Sequence, residues 1–180
     1  MNIQSDKVLD ELLVLQAQNG DKKSLAILVT RWHKKLVKYA YRYTNEMEVA
    51  KDLVQDSWQA IIKSVYNLQD PAKFRVWAFR IVHNKTVSWI RDKQKEIISN
   101  EEYKQNKALV EEEEKPDFGP IREALNMLSG DHKTILTLFY FNNYSVQEIA
   151  EIMQLSTGTI KSRLFYARQK TKEYYQTLNI

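Results

Sequence analysis

The stretch STGTIKSRLFYARQK, residues 156–170, decides the fold. It begins with residues that favour the start of a helix and continues with several basic residues. Three of its first four residues carry hydroxyl groups, which favour the beginning of a helix. Ile160, Leu164 and Ala167 then follow at spacings of four and three, so they share one helix face. One capping hydroxyl is enough to begin a helix. The additional hydroxyls and the basic residues therefore indicate a second role.

A shorter helix is predicted directly before this stretch. Its apolar positions, spaced at i, i+3, i+4 and i+7, are Val146, Ile149, Ala150 and Met153. Ser145 and Glu148 have the spacing of a capping box, and only residues 154–156 separate the two helices. These are the dimensions of a helix-turn-helix, whose second helix enters the major groove of DNA. An ordinary amphipathic helix with a solvated basic face fits the same spacing.

The remaining sequence also predicts helices, with few glycines or prolines to interrupt them. About four helices are expected before residue 97, separated at Asn19–Asp21, at Thr44–Glu46 and at Asp70–Pro71. The first should begin after Ser5 and Asp6. Its predicted buried stripe is Val8, Leu9, Leu12, Leu13 and Leu15. The tryptophans Trp32, Trp58 and Trp77 are expected mainly in the core. Two more helices are predicted over residues 121–141, the second capped by Asp131.

Charge divides the chain into three parts. Residues 1–91 hold 15 basic and 9 acidic residues, residues 92–120 hold 5 and 9, and residues 121–180 hold 7 and 5. The acidic part contains the run Glu111–Glu114 and then Pro116 and Pro120, a composition that resists packing. We predict an all-α chain with helical domains at residues 1–96 and 120–180. A flexible acidic linker over residues 97–119 joins them.

Several classes of function are disfavoured by the residues present. The chain has no cysteine, so neither disulfides nor thiolate metal sites are expected. His33, His83 and His132 are scattered, and neither a phosphate-binding glycine loop nor a nucleophile motif is found. No window has the apolar length of a signal peptide or a membrane span. These features predict a cytoplasmic protein that is not an enzyme, binds no cofactor and does not insert into membranes.

The motifs closely resemble those of extracytoplasmic-function sigma factors, the smallest members of the bacterial sigma-70 family. EIA at residues 148–150 and LSTGTIKSRL at residues 155–164 resemble the family's second conserved domain. DLVQD at residues 52–56 resembles its polymerase-gripping motif, and WAFRIVHN at residues 77–84 resembles its promoter-melting segment. The resemblance extends from Asp10 to Tyr175 and leaves the linker unmatched. It implies an alternative sigma factor that binds core RNA polymerase, promoter DNA and an anti-sigma factor.

The resemblance also implies three sets of site residues. Polymerase binding falls to Asp52, Leu53, Gln55 and Asp56, of which the polar three lie on one helical face. Recognition and melting of the −10 element fall to Phe74, Arg75, Arg80, Asn84, Lys85 and Arg91. Recognition of the −35 element falls to Ser156, Thr157, Thr159, Lys161, Ser162, Arg163, Arg168 and Lys170. Aromatic rings at Trp77, Phe79 and Trp89 are candidates for stacking on unpaired bases. The family's base-capturing loop would fall around residues 67–74.

Four positions depart from the family pattern: Lys51, Ser88, Ser129 and Tyr166. These departures are expected to affect which promoter sequence is bound and how strong the contacts are.

In related sigma factors the linker enters the polymerase channels, so the run Glu111–Glu114 is interpreted either as a charge mimic of RNA or as a solubilising tether. Two other functions stay open on the residues alone. One is a helix-turn-helix regulator that binds DNA by itself, and the other is a helical adaptor for RNA or protein.

Overall fold

The structure is a computed structural model that describes residues 3–99, 123–125 and 127–178. All regular structure within these ranges is helical, and the chain divides into two compact units, residues 1–104 and 105–180. The all-α, two-domain prediction is thereby confirmed. None of the helices in the described ranges is both long enough and apolar enough to cross a lipid bilayer.

The described part of the first unit, residues 3–99, contains four α-helices. They are α1 (Ile3–Gln18), α2 (Lys22–Thr44), α3 (Met47–Ser64) and α4 (Phe74–Ser99), with 3₁₀ turns at Val65–Asn67 and Pro71–Lys73. α4 extends three residues into the segment predicted as linker. The rest of that segment, including the run Glu111–Glu114, lies outside the described residues.

Local signals set the helix boundaries of this unit. The Asp21 carboxylate accepts a hydrogen bond from the Lys23 amide at 2.9 Å, directly after Gly20 turns the chain with a φ of 91°. α2 ends where Asn45 adopts the left-handed conformation with a φ of 53°. Asp70 accepts from the Ala72 amide at 3.1 Å, but the proline after it begins a 3₁₀ turn, and α4 proper begins at Phe74. The predicted breaks are therefore confirmed.

An aromatic cluster forms the core of the first unit. The Trp32 ring meets Phe74 and Phe79 edge-on with centroids 6.2 and 6.0 Å apart, and Tyr39 meets Phe79 at 5.1 Å. Edge-on contacts of this kind contribute about 0.5–1.5 kcal/mol each beyond the area they bury. Trp32 and Trp58 are buried as predicted, whereas Trp77 is half-buried.

α1 faces the core with a different stripe from the one predicted. The side chains it buries are Asp10, Leu13, Val14 and Ala17, spaced at i, i+3, i+4 and i+7. Val8, Leu9, Leu12 and Leu15 are 41–51% exposed, so the predicted stripe is wrong except at Leu13. Asp10 can be buried because Arg31 of α2 donates to its carboxylate at 2.9 Å.

The second unit contains α5 (Gly130–Leu136), α6 (Val146–Met153) and α7 (Thr157–Leu178), and residues 123–125 before them are also helical. Ser129, and not Asp131 as predicted, occupies the N-cap position of α5. α5 continues into a π-helical turn at Thr137–Phe141, closed by the Asn142 amide on the Thr137 carbonyl at 3.0 Å. The sequence gives no periodicity signal for this turn.

α6 and α7 form the predicted helix-turn-helix. The Ser145 hydroxyl and the Glu148 carboxylate each accept from the other residue's amide, at 3.1 and 2.7 Å, which completes the capping box. Gln154 ends α6 in the left-handed conformation with a φ of 56°. Among the described residues, the core beneath the motif includes Ala124, Leu128, Ile135, Leu136, Leu138, Tyr144, Ile149, Ala150, Ile152, Met153, Ile160, Leu164 and Ala167. Ile160, Leu164 and Ala167 bury one side of α7, so the opposite side of this helix faces outward.

Candidate polymerase and nucleic-acid interfaces

The predicted polymerase-binding residues lie on the outer side of α3. Asp52, Gln55 and Asp56 are exposed, and Leu53 is half-buried at their edge. The opposite side of α3 is fixed in the core by Val54, Ser57 and Trp58. The Lys85 ammonium of α4 lies 4.0 Å from an Asp56 carboxylate oxygen, an exposed pair that contributes little stability. The three polar side chains are thus displayed by a rigid helix, and we call them the α3 acidic face.

α4 presents a separate polar stripe. Arg80, Asn84, Ser88 and Arg91 are all exposed at spacings of four, four and three, so they lie on one line along the helix. We call these four residues the α4 stripe. Arg75 and Lys85, also predicted to bind DNA, are half-buried beside it. The stripe combines guanidinium groups with an amide and a hydroxyl, which suits contacts to phosphates and base edges.

Phe74 requires a correction, because its side chain is fully buried. It packs against Trp32 and against Trp77, with ring centroids 6.2 and 6.1 Å away. It is therefore a core residue that anchors the start of α4, and we leave it out of the DNA-binding set. Phe79 is likewise buried and is withdrawn as a stacking candidate. Trp89 remains half-exposed, with the Lys93 ammonium 4.6 Å from its ring centroid.

The start of α7 uses part of its hydroxyl set for capping. The Ser156 hydroxyl accepts from the Thr159 amide at 3.0 Å and lies 2.8 Å from the Thr159 hydroxyl. The Ser162 hydroxyl donates to the Gly158 carbonyl at 3.1 Å, so it is partly engaged with its own helix. Thr157 and Lys161 are exposed. Some of the hydroxyl groups noted in the sequence therefore bond to the helix backbone, and others lie on its outward surface.

The outward surface of α7 continues beyond its first turn. Phe165 and Tyr166 are 55% and 57% exposed, and their rings meet edge-on at 5.8 Å. Lys170 and Arg168 are also exposed. The Arg168 guanidinium lies over the Phe139 and Tyr140 rings of the π-helical turn, at 5.6 and 5.4 Å from their centroids. Arg168 thus connects the outward face of α7 to the π-helical turn that follows α5.

Arg163 is held by a contact that sequence reasoning missed. Its Nη1 lies 2.5 Å from Oδ2 of Asp131 in α5, and the two side chains are 34% and 43% exposed. The guanidinium is thereby directed toward α5. Nothing in the local spacing indicates this contact, because the partner lies 32 residues earlier in the chain. Next to it, burial lowers the pKa of His132, and the cations Lys170 and Arg163 lower that pKa further.

Comparison with known proteins gives the arrangement its context. Residues 28–96 match the model of sigma-70 region 2, and residues 118–171 match the model of sigma-70 region 4. The chain is 27% identical over 192 residues to the ECF RNA polymerase sigma-E factor of Haemophilus influenzae, covering 97% of this chain and 99% of that protein. The chain belongs to the extracytoplasmic-function group of the sigma-70 family. It is an alternative RNA polymerase sigma factor, which acts in promoter-specific transcription initiation.

Two further proteins are similar to this chain, one in sequence and one in fold. The RNA polymerase sigma-H factor of Pseudomonas aeruginosa is 25% identical over 183 residues, covering 94% of this chain and 95% of the relative. The fold is similar to that of the sigma factor RpoE of Bartonella quintana, solved in complex with the anti-sigma factor NepR. That similarity has a TM-score of 0.73 at 24% identity and covers 86% of this chain and 98% of RpoE.

Proposed function

We propose that this sigma factor divides its work between two domains, residues 1–96 and 120–180, and three surfaces. The α3 acidic face, with Leu53 at its edge, binds core RNA polymerase. The α4 stripe and the preceding loop around residues 67–74 bind and melt the −10 element. The outward face of α7 binds the −35 element. The observation that carries this proposal is that all three surfaces are exposed on helices whose opposite sides are fixed in a core.

The α3 acidic face is the surface best suited to a basic protein partner. Two carboxylates and one amide project from two successive turns, so a positively charged helix can approach all three at once. The two carboxylates disfavour DNA binding, because DNA phosphates would repel them. The proposal therefore separates polymerase binding from promoter reading within the first domain.

On α7 the proposal assigns different roles to neighbouring residues. Lys161 and Ser162 are exposed near the helix start, where recognition helices contact base edges. Thr157 and the capped helix start are assigned to a phosphate, because free backbone amides there attract anions. Lys170 and Arg168, farther along, are assigned to the DNA backbone. Arg163 is assigned a positioning role, since Asp131 holds its guanidinium.

The protein itself performs no chemistry under this proposal, because nucleotide addition belongs to the polymerase that it recruits. Its site of action is the cytoplasm, where polymerase and promoters are found. We infer an anti-sigma factor as a further partner, on the basis that the similar RpoE structure contains one. No cofactor is required for any of these contacts.

The experiment that tests the proposal measures binding to core RNA polymerase. Replacing Asp52, Gln55 and Asp56 together with alanine should leave the fold intact, because these side chains are exposed. Affinity for core polymerase should fall sharply. A matched control replaces Asp92 and Gln94, an exposed acid and an exposed amide of α4, and should keep core affinity. Unchanged affinity in the triple variant would refute the polymerase assignment and favour a regulator that binds DNA alone.

A further inference from the structure

Gln18, at the end of α1, contacts a segment far away in the sequence. Its Nε2 atom lies 2.9 Å from the Val65 carbonyl oxygen and 2.8 Å from the Leu68 carbonyl oxygen. Both partners are acceptors, so the side-chain nitrogen and not its oxygen must face them. The two N–H groups of one amide thus hold two carbonyls that lie 47 and 50 residues later.

These carbonyls flank the turn that follows α3. α3 ends at Ser64, and the 3₁₀ turn Val65–Asn67 follows directly, closed by the Leu68 amide on the Val65 carbonyl at 3.1 Å. Gln18 adds a second hydrogen bond to the Val65 carbonyl and one to the Leu68 carbonyl, both from a different helix. It therefore fixes where the chain goes when it leaves α3.

The segment that leaves α3 is held at two further points before α4 begins. The Asp70 carboxylate accepts from the Ala72 amide at 3.1 Å, which fixes the second 3₁₀ turn. The fully buried Phe74 ring then fixes the start of α4 in the aromatic core. We call residues 65–74 the anchored loop, with Gln18, Asp70 and Phe74 as its three anchors.

Between its anchors this loop displays polar and aromatic side chains. Tyr66 is 51% exposed, and Asn67 and Gln69 are exposed on either side of the half-buried Leu68. A tyrosine ring can stack on an unpaired base, while an amide can pair with a base edge. The loop leads directly into α4, which carries the α4 stripe. Its side chains therefore stand at one end of the proposed −10 surface.

We propose that Gln18 is a positioning residue for −10 recognition, acting through the anchored loop without touching DNA. This inference rests on the proposed function, which gives that loop its DNA contacts. A loop held in its binding shape before DNA arrives loses little conformational freedom on binding. Releasing Val65 and Leu68 frees Tyr66 and Asn67 to move, so cognate and non-cognate bases are distinguished less well. A residue of α1, which carries no DNA contact of its own, thus sets promoter selectivity.

The test uses full-length protein in complex with core RNA polymerase. Linear templates randomised at the −10 and −35 positions are transcribed, and the transcribed sequences are compared with the input. Gln18→Ala and Gln18→Glu both remove the donated N–H groups. Gln16→Ala is the matched control, since the Gln16 side chain lies near the same end of α1 but accepts from the Ser24 hydroxyl of α2 at 2.6 Å.

Both Gln18 variants should lower enrichment at the −10 positions by roughly three- to tenfold, the range expected for losing one or two hydrogen bonds. Enrichment at the −35 positions and affinity for core polymerase should be unchanged, and Gln16→Ala should match wild type. If Gln18→Ala fails to fold, Gln18→Asn replaces it in the test. Asparagine keeps the amide group, but its side chain is shorter, so the amide no longer reaches the two carbonyls and the same loss at the −10 positions is expected.

Two results would overturn the inference while leaving the proposed function in place. One is wild-type enrichment at the −10 positions in both Gln18 variants. The other is an equal loss at the −10 and −35 positions, which would make Gln18 a structural residue only. If the wild-type protein enriches no −10 sequence, the proposed function fails and this inference fails with it.

Discussion

Arg163 and Asp131 form an ion pair between the recognition helix α7 and the helix α5, with Nη1 and Oδ2 2.5 Å apart. Sequence reasoning assigns Arg163 to a base edge, because arginine near the start of a recognition helix commonly reads guanine. In the structure its guanidinium is directed toward Asp131 of α5, in the same unit. The pair adds a contact between α7 and α5, on a helix whose outward face is already set by the buried Ile160, Leu164 and Ala167.

The first prediction concerns this ion pair. Arg163→Ala should reduce affinity for cognate and scrambled duplexes alike, because it loosens the helix and removes no base contact. A double-mutant cycle with Asp131→Ala should give a coupling of about 0.5–1 kcal/mol in the free energy of unfolding, as for partly exposed pairs. Selective loss of the cognate duplex alone would return Arg163 to the base-reading set.

A second prediction compares two exposed lysines of α7. Lys161→Ala should reduce discrimination between cognate and scrambled −35 duplexes by about 1–3 kcal/mol, since it removes a base contact. Lys170→Ala should weaken binding to all duplexes and lower the slope of log affinity against log salt by about 1, as expected for one lost phosphate contact. Binding titrations at several salt concentrations measure both quantities. The assignment is wrong if the two variants behave alike.

The contrast between Arg163 and Ser145 shows what the sequence can predict. Ser145 and Glu148 are three residues apart, so their capping box depends on local geometry alone and is predicted correctly. The helix break at Asn19–Asp21 is predicted for the same reason, and in the structure Asp21 caps the helix that follows it. The direction of the Arg163 side chain depends on a residue of another helix, which no local pattern reveals.

The exposure of Leu12 on α1 also depends on a contact with another helix. The predicted stripe on this helix is the one with more leucines, because hydrophobicity alone favours it. The structure buries the stripe that contains Asp10, because Arg31 on α2 neutralises that carboxylate. Which stripe is buried therefore depends on an ion pair between helices. The contact of Gln18 with the anchored loop belongs to the same class, since both partners must be placed in space first.

Phe74 leads to a third prediction, about stability. Because its ring is fully buried between Trp32 and Trp77, Phe74→Ala should lower the free energy of unfolding by about 3–5 kcal/mol through lost burial and a cavity. Tyr66→Ala, in the same loop but half in solvent, should change it by no more than about 0.5 kcal/mol. Denaturant unfolding measures both. A small effect at Phe74 would mean that its ring leaves the core easily and is available to DNA.

The fourth prediction concerns pH. Burial and the nearby cations lower the pKa of His132 in the folded protein below its usual 6.5. The unfolded chain therefore binds the proton more readily, so the stability of the second unit is complete above pH 6.5 and falls as the pH is lowered toward the folded pKa. His132→Gln should remove this dependence, whereas His33→Gln, an exposed histidine of the first unit, should leave it in place.

Titration of His132 by NMR gives an independent check on the cause of its shift. Arg163→Ala removes one of the two cations that disfavour protonation, so it should raise the pKa of His132 toward the ordinary value. Lys170→Ala should act in the same direction. A pKa that is unchanged in both variants would leave burial as the sole cause.

The central claim is that this chain directs core RNA polymerase to promoters by means of two helical domains. The most direct measurement is transcription in vitro from a randomised promoter library by core polymerase with and without the purified chain. The account predicts transcripts only when the chain is present, from templates that share one sequence near −10 and another near −35. They should disappear when Asp52, Gln55 and Asp56 are replaced together. Binding of the chain to DNA with no promoter-specific transcripts in the presence of core polymerase would contradict it.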